Sequence, residues 1–200
     1  MNVNQLTLND SHWAGELLGQ AFLEDPMMKF VIGPKEKKKD LTKWLVSCGF
    51  RYGVLFGQCF STKEKDGVLL LIPPNEVDVT ARKIYKTGIF YAPFKLGFKS
   101  FLNFMEMSNF TENEHKKSVS ENHYYLYCMG VAPERQGLGI GKKLVKRALE
   151  LVDQQKMPCY LETQNEKNVA FYQNFGFEVV TSKPLPSGKI SNWGMLRKAV

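Results

Sequence analysis

Apolar positions recur at helical spacing from about Ser11, at Trp13, Leu17, Leu18, Ala21 and Phe22, predicting an amphipathic helix with Ser11 as its N-cap. Asn4 to Leu8, just before it, reads as a short first strand. A second helix is expected from Asp40 to about Phe56, entered through the solvated charge run Lys35 to Asp40. The period then shortens. Gln58 to Thr62 and Val68 to Ile72 read as two strands joined by a polar turn ending in Asp66-Gly67, a hairpin closed by Pro73-Pro74. From about Val79 to Val119 the pattern is helical and aromatic-rich, broken at Pro93. Phe94, Phe98, Phe101 and Met105 fall there on one face, taken first as core and second as an aromatic wall for a substrate.

The C-terminal half is more regular. Tyr124 to Val131 is a strand, and a glycine-rich loop then opens a helix from about Gly139 to Gln155. Pro158 to Thr163 is a strand, and Glu166 to Asn174 a helix with Asn165 as N-cap and Gly176 as its stop. Phe177 to Thr181 and Ser191 to Lys198 are the last two strands. Strand–helix–strand–helix–strand order implies an α/β sandwich with at least one parallel pair.

Composition narrows this little. Two hundred residues suit one domain spanning 1–200, and 44% hydrophobic with 24% charged residues excludes wholesale disorder. The longest purely apolar run, Val68 to Ile72, falls far short of the ~20 residues a membrane span needs. Met1 to Leu6 lacks a basic cap followed by an apolar stretch, so no secretory signal is read and a cytoplasmic location is expected. Cys48, Cys59, Cys128 and Cys159 are widely spaced in apolar or strand-like stretches, which fits reduced core thiols and neither a disulfide framework nor a zinc site. No metal is expected. The net charge of +7 fits an anionic partner as well as plain solubility. Its basic residues do not interleave with aromatics in a nucleic-acid-recognition pattern, so neither nucleic acid nor membrane is expected as a partner.

The chemistry concentrates at Val131 to Gly141 and the lysines after it. Gly137, Gly139 and Gly141 let the backbone turn its N–H groups towards one point, where a helix adds its own free N–H groups and the positive end of its dipole. Phosphate oxygens bind such a structure. Lys142 and Lys143 at a helix start disfavour the helix, and an anionic ligand offsets that conflict. A P-loop is excluded because Gln136 stands where its first glycine belongs and Lys143 where its Mg²⁺-binding hydroxyl belongs. A dinucleotide fingerprint is excluded because Lys142 replaces its third glycine.

Gln136-x-x-Gly139-x-Gly141 resembles the Q/R-x-x-G-x-G/A motif of the GNAT N-acetyltransferase superfamily, which grips the pyrophosphate of acetyl-CoA. Asn165 to Phe177 resembles the family's N-x-x-A/N-x-x-x-Y-x-x-x-G-F segment. His123 to Leu126, Pro158 to Thr163 and Trp193 to Met195 are similar to a branch that includes puromycin N-acetyltransferase. The resemblance covers about residues 121–198. It implies a mixed, largely antiparallel sheet with a central splayed parallel strand pair, flanked by helices. It also implies an enzyme that transfers acetyl from acetyl-CoA to a primary amine by direct attack in a ternary complex.

On that resemblance, backbone groups of Met129, Gly130 and Val131 pair with pantetheine, and Gln136, Gly137, Leu138, Gly139, Ile140, Gly141 and Lys142 hold the pyrophosphate. Asn165 and Asn168 contact the cofactor, Asn168 from the same helical face as Tyr172. Tyr172 both touches the cofactor and is the candidate general acid for the leaving thiolate, its phenol (pKa ~10) being protonated at neutral pH. Glu162, on the strand flanking the cleft, is the first candidate base, ahead of Glu121 and His123. Cys128 and Cys159 have no sequence-adjacent base and are not expected to carry an acetyl group. The acceptor is expected to be a small-molecule amine, residues 79–119 to shape its site, and a homodimer is the base-rate assembly. The alternative is a non-catalytic acyl-CoA-binding or sensing protein.

Overall fold

The computed structural model describes residues 3–200; Met1 and Asn2, on which part of the leader reading rests, lie outside the described residues. Seven strands, β1 (Val3–Gln5), β2 (Gln58–Thr62), β3 (Gly67–Ile72), β4 (Tyr124–Val131), β5 (Cys159–Thr163), β6 (Glu178–Pro184) and β7 (Ser191–Arg197), form one sheet. Their order is β1-β2-β3-β4-β5-β7-β6. Only β4 and β5 run parallel, and every other neighbouring pair is antiparallel. This is the mixed sheet with a central parallel pair that the sequence implies.

The helices are α1 (Ser11–Ala21), α2 (Pro26–Ile32), α3 (Lys38–Phe56), α4 (Ala81–Thr87), α5 (Ala92–Leu96), α6 (Phe98–Ser118), α7 (Ile140–Gln154) and α8 (Lys167–Gln173). They cover both sheet faces, so β3 is buried along its whole length and reads as an unbroken apolar run. Leu69 and Leu71 face one way, joining Leu126, Leu161 and Met195 beneath the α7 stripe of Ile140, Leu144, Val145, Ala148, Leu149 and Val152. Val68 and Leu70 face the other way, against Leu18 of α1, Met28 of α2 and Phe50 of α3. Each fully buried aliphatic or aromatic side chain here contributes ~1.5–3 kcal/mol.

Two irregularities shape the centre. The β3–β4 register steps from Leu70↔Cys128 to Leu71↔Leu126, leaving Tyr127 as an extra residue in a β-bulge. The parallel pairing of β4 with β5 covers only Tyr124↔Cys159, Tyr125↔Tyr160 and Leu126↔Leu161. Beyond Leu126 the edge of β4 that faces β5 has no strand partner, and the two strands diverge.

Several local expectations need correcting. The first strand is Val3–Gln5, and Leu8 begins a 3-10 turn, Leu8–Asp10, in which Asp10 accepts the Thr7 N–H at 2.9 Å. Asp10, not Ser11, therefore sits at the N-cap position of α1. Helix α2 was not predicted, although Asp25-Pro26 before it and Gly33 after it are a start and stop signal, and Asp25 Oδ1 accepts the Met27 N–H at 2.9 Å. The 79–119 segment breaks at Gly88 (φ 83°) and Gly97 (φ 73°), whereas Pro93 lies in the first turn of α5, where its missing N–H costs nothing. Gly97 also splits the supposed aromatic face. Phe94 and Phe98 are 85% and 80% exposed, Met105 is at the surface, and only Phe101 packs on the core.

Candidate active site

The divergence of β4 and β5 makes a cleft, and its end beside α7 carries the glycine loop. Gly137 (φ 81°) and Gly139 (φ 78°) adopt left-handed backbone that favours glycine, and the space beside both is open. Gly139 caps α7 without any side-chain acceptor, and the first turn holds no acid. Lys142 and Lys143 are exposed and take no part in the ion pairs among the described residues. Free N–H groups, a helix dipole and two unpaired cations thus converge on one open surface, a setting suited to phosphate. Gln136 Nε2 donates to Val131 O at 3.3 Å, tying the loop to the end of β4. Ile140 is buried in the core, Leu138 is exposed, and Gly141 lies between Met129 and Phe171. Arg135 turns away from the loop to Asp66 of the β2–β3 turn, Nε to Oδ2 3.6 Å.

Met129 and Val131 line the diverging half of β4, and Gly130 is buried against Leu18 of α1. Opposite stand the end of β5 and α8. Thr163 Oγ1 accepts from Asn168 Nδ2 and from the Asn165 N–H, both at 3.2 Å, and Asn165 Oδ1 accepts the Lys167 N–H at 3.2 Å. Glu166, not Asn165, therefore sits at the N-cap position of α8, and Asn165 one residue earlier bridges the turn through its side-chain oxygen. Asn168 commits its amide N–H to Thr163 rather than to Tyr172.

Tyr172 is buried, its ring edge-on to Phe171 and Phe177. Burial above all, then the neighbouring Cys128 and Cys159, pushes its phenol above the usual tyrosine range. Both thiols are themselves raised to about 12, chiefly by burial, so neither is a ready nucleophile. Cys128 also feels Asp25, which brings the N-terminus of α2 close to the cleft.

Glu162 lies on the opposite sheet face from Leu161, in different company. Its carboxylate accepts from Tyr125 Oη and Tyr160 Oη, each at 3.1 Å. Burial raises it to about 8, with Glu114 adding to the shift and the two phenols opposing it. Tyr160 is held in turn. His115 of α6 stacks on it at 4.1 Å between centroids, and any side chain at Gly194 of β7 would collide with its hydroxyl. His115 Nε2 and His123 Nε2 are 2.7 Å apart, and His123 Nδ1 donates to Glu121 O at 2.7 Å. Burial first, then His123, lowers His115 to about 3, so the His115 ring is neutral. Both ring nitrogens of His123 are thereby engaged, which suits a structural role better than proton abstraction. The bulged Tyr127 extends the group, its ring 5.6 Å from Tyr125 and 5.2 Å from Tyr52 of α3. His115, Tyr125, Tyr127 and Tyr52 carried no spacing signal in the sequence, because they come from three elements far apart in the chain.

A sheet splayed at its one parallel pair, with a phosphate-suited loop at the splay, is the GNAT fold. Residues 96–177 match the model of the Acetyltransferase (GNAT) family. The chain is 26% identical, over 88% of its length and 74% of the relative's, to an uncharacterized N-acetyltransferase of Schizosaccharomyces pombe. Its fold is similar to that of a histone acetyltransferase HPA2-related acetyltransferase of Corynebacterium glutamicum (TM-score 0.66, 18% identity, 100% of this chain and 96% of that one). It is also similar to that of polyamine N-acetyltransferase of Drosophila melanogaster (TM-score 0.65, 13% identity, 98% of each chain). Residues 96–177 are thus similar to the GNAT family, and the described chain shares the fold of these solved structures. Among the described residues no group of three or more His, Cys, Asp or Glu is arranged to hold a metal.

Proposed function

We propose that the protein is an acetyl-CoA-dependent N-acetyltransferase that delivers the acetyl group directly to a primary amine bound beside Glu162. The observation that carries this reading is the cleft itself: an uncapped, acid-free glycine loop at one end, and a carboxyl raised to about 8 on the strand opposite. Acetyl-CoA, when bound, supplies the activated acyl thioester. The N–H groups of Leu138 to Gly141 and the Lys142 ammonium receive its pyrophosphate, and the free edge of β4 at Met129 to Val131 receives its amide chain. Asn165 supports this wall by fixing the β5–α8 turn, and Asn168 does so through Thr163.

Glu162 takes a proton from the attacking amine, and a base titrating near 8 is well matched to that task. Tyr172 faces the leaving sulfur. A phenol (pKa ~10) is a weaker acid than a thiol (pKa ~8.5), and burial widens the gap, so outright proton transfer runs uphill by ~2 kcal/mol or more. Its work is to donate a hydrogen bond to the developing thiolate, which corrects the simpler expectation that it hands its proton over.

The acceptor is an amine of undefined skeleton. Resemblance to the puromycin-modifying branch lies in the sheet strands, while residues 79–119, proposed to shape the acceptor site, share no motif with it. The polyamine N-acetyltransferase fold neighbour acts on amines by its name, which supports the reaction class.

Calorimetric titration of the purified protein with acetyl-CoA tests the reading. Micromolar binding, abolished by Gly139→Glu, is expected together with thiol release when primary amines are added. Binding without thiol release across an amine panel would favour the sensing alternative. No binding by well-folded protein would remove the donor site and the proposal with it.

A further inference from the structure

The stretch from Val79 to Met105 has a surface of consistent character. Its sequence holds no Asp or Glu. Arg82, Lys86, Lys95 and Lys99 are all exposed, and none takes part in the ion pairs among the described residues. Between these cations stand Tyr85, Phe90, Tyr91, Phe94, Phe98 and Leu102, with Tyr85 at 71%, Phe94 at 85% and Phe98 at 80% exposure. This is an apolar crest studded with positive charge.

The crest is firmly seated. Lys83, the one basic residue of the stretch that is buried, pairs with Glu76 and donates to the carbonyls of Glu76 and Asp78. Ala92 and Leu96 are buried in the core, Asn103 Nδ2 donates to Phe30 O at 2.8 Å, and Phe101 and Phe104 pack inward. Tyr85 and Phe90 stack at 5.3 Å. Loose packing therefore does not explain why large aromatic rings stand in water, and exposed rings on an ordered frame, with Tyr85, Phe90 and Tyr91 clustered by their ring contacts, mark an interaction site.

Charge decides what covers it. A second copy docking through the same patch in a two-fold contact would bring four unpaired cations against four, with no acid on the patch to relieve them. A peptide groove needs walls, and rings exposed to 80% and more have none beside them. A bilayer surface bearing anionic lipid meets both features: the lysines reach phosphate and carboxylate headgroups while the rings enter the headgroup–acyl boundary. We propose that the α4–α6 crest binds the surface of an anionic phospholipid membrane, without spanning it. No helix among the described residues is long and apolar enough to cross a membrane. The proposal replaces the expectation of no membrane partner, and it does not depend on the acetyl-transfer reading.

The test is co-sedimentation of the full chain with phosphatidylcholine vesicles, with and without phosphatidylserine. Binding to the mixed vesicles is expected, weaker by about tenfold or more in high salt and on phosphatidylcholine alone. Phe94→Ser with Phe98→Ser is expected to weaken it by about tenfold or more, because two apolar insertions are lost from an exposed site. The same variant should melt with the wild type, and its acetyl-CoA titration should be unchanged. Lys95→Gln with Lys99→Gln, two of the four exposed cations, should remove about half of the salt sensitivity. Failure to sediment with mixed vesicles would overturn the proposal. So would equal binding to both vesicle types, a concentration-dependent dimer abolished by the phenylalanine variant, or an RNA complex abolished by it; the last two would name the true occupant.

Discussion

The two sides of the cleft are built from opposite materials. Around Tyr172 the sheet presents aliphatic and thiol side chains under α7 and α8, and the polar apparatus is largely backbone, the uncapped start of α7 and the free edge of β4, with Lys142 and the Thr163–Asn168 contact beside them. Around Glu162, on the other sheet face, the neighbours are phenols and imidazoles from β4, β5 and α6. Apolar burial holds Tyr172 protonated, and it also raises Glu162, but there two phenol donors keep the anion within reach. The difference teaches a division of labour. A phosphate-bearing ligand can be held mainly by main-chain groups, which depend on glycine placement. A proton acceptor near neutrality needs a side-chain network, which depends on residues brought from far apart.

The sharpest way to break that division is Glu162→Gln. On the proposed reading it removes the base and leaves the donor side whole, so kcat should fall by ~10²–10³ while acetyl-CoA affinity is kept. The wild-type kcat/KM should rise with pH through about 8, the carboxyl being active only when ionised, and the variant should lose that limb. Equal loss of acetyl-CoA binding would mean the two sides are one unit.

Tyr172→Phe sharpens it from the other side. One hydrogen bond to a developing thiolate is worth a kcat loss of ~10–100-fold, with the pH limb from Glu162 intact. Unchanged turnover would remove Tyr172 from the chemistry and leave it as core.

This division also explains what was legible. The glycine loop, the Asn165-bridged turn into α8 and Gly176 lie within short stretches whose spacing specifies backbone shape, so their conformation could be read from the sequence. The hairpin was legible for the same reason. The Glu162 network was not: His115 sits on a helix, His123 precedes the central strand, and the bulge that turns Tyr127 out of register leaves no trace in the spacing. Helical periodicity also could not foresee that Phe94 and Phe98 face water, because Gly97 ends one helix between them and restarts another. Asp25-Pro26 and Gly33 were a legible helix signal for α2 that its short length concealed.

The effect furthest from the chemistry is on stability, and it tests the electrostatics of Glu162 without any substrate. The folded carboxyl titrates at about 8 against an ordinary value of 4.5. Between those values the folded chain keeps a proton that the unfolded chain has lost, so the unfolded state binds fewer protons and stability falls as pH rises through the window. Glu162→Gln cannot titrate and lacks this fall. Its stability relative to wild type should therefore improve steadily from pH 4.5 to about 8, by up to roughly 5 kcal/mol, and level off above. Denaturant melts of both proteins at several pH values measure it. A flat difference would mean that water and the two phenols solvate the carboxylate fully, and the acceptor side would then lose the property that distinguishes it from the donor side.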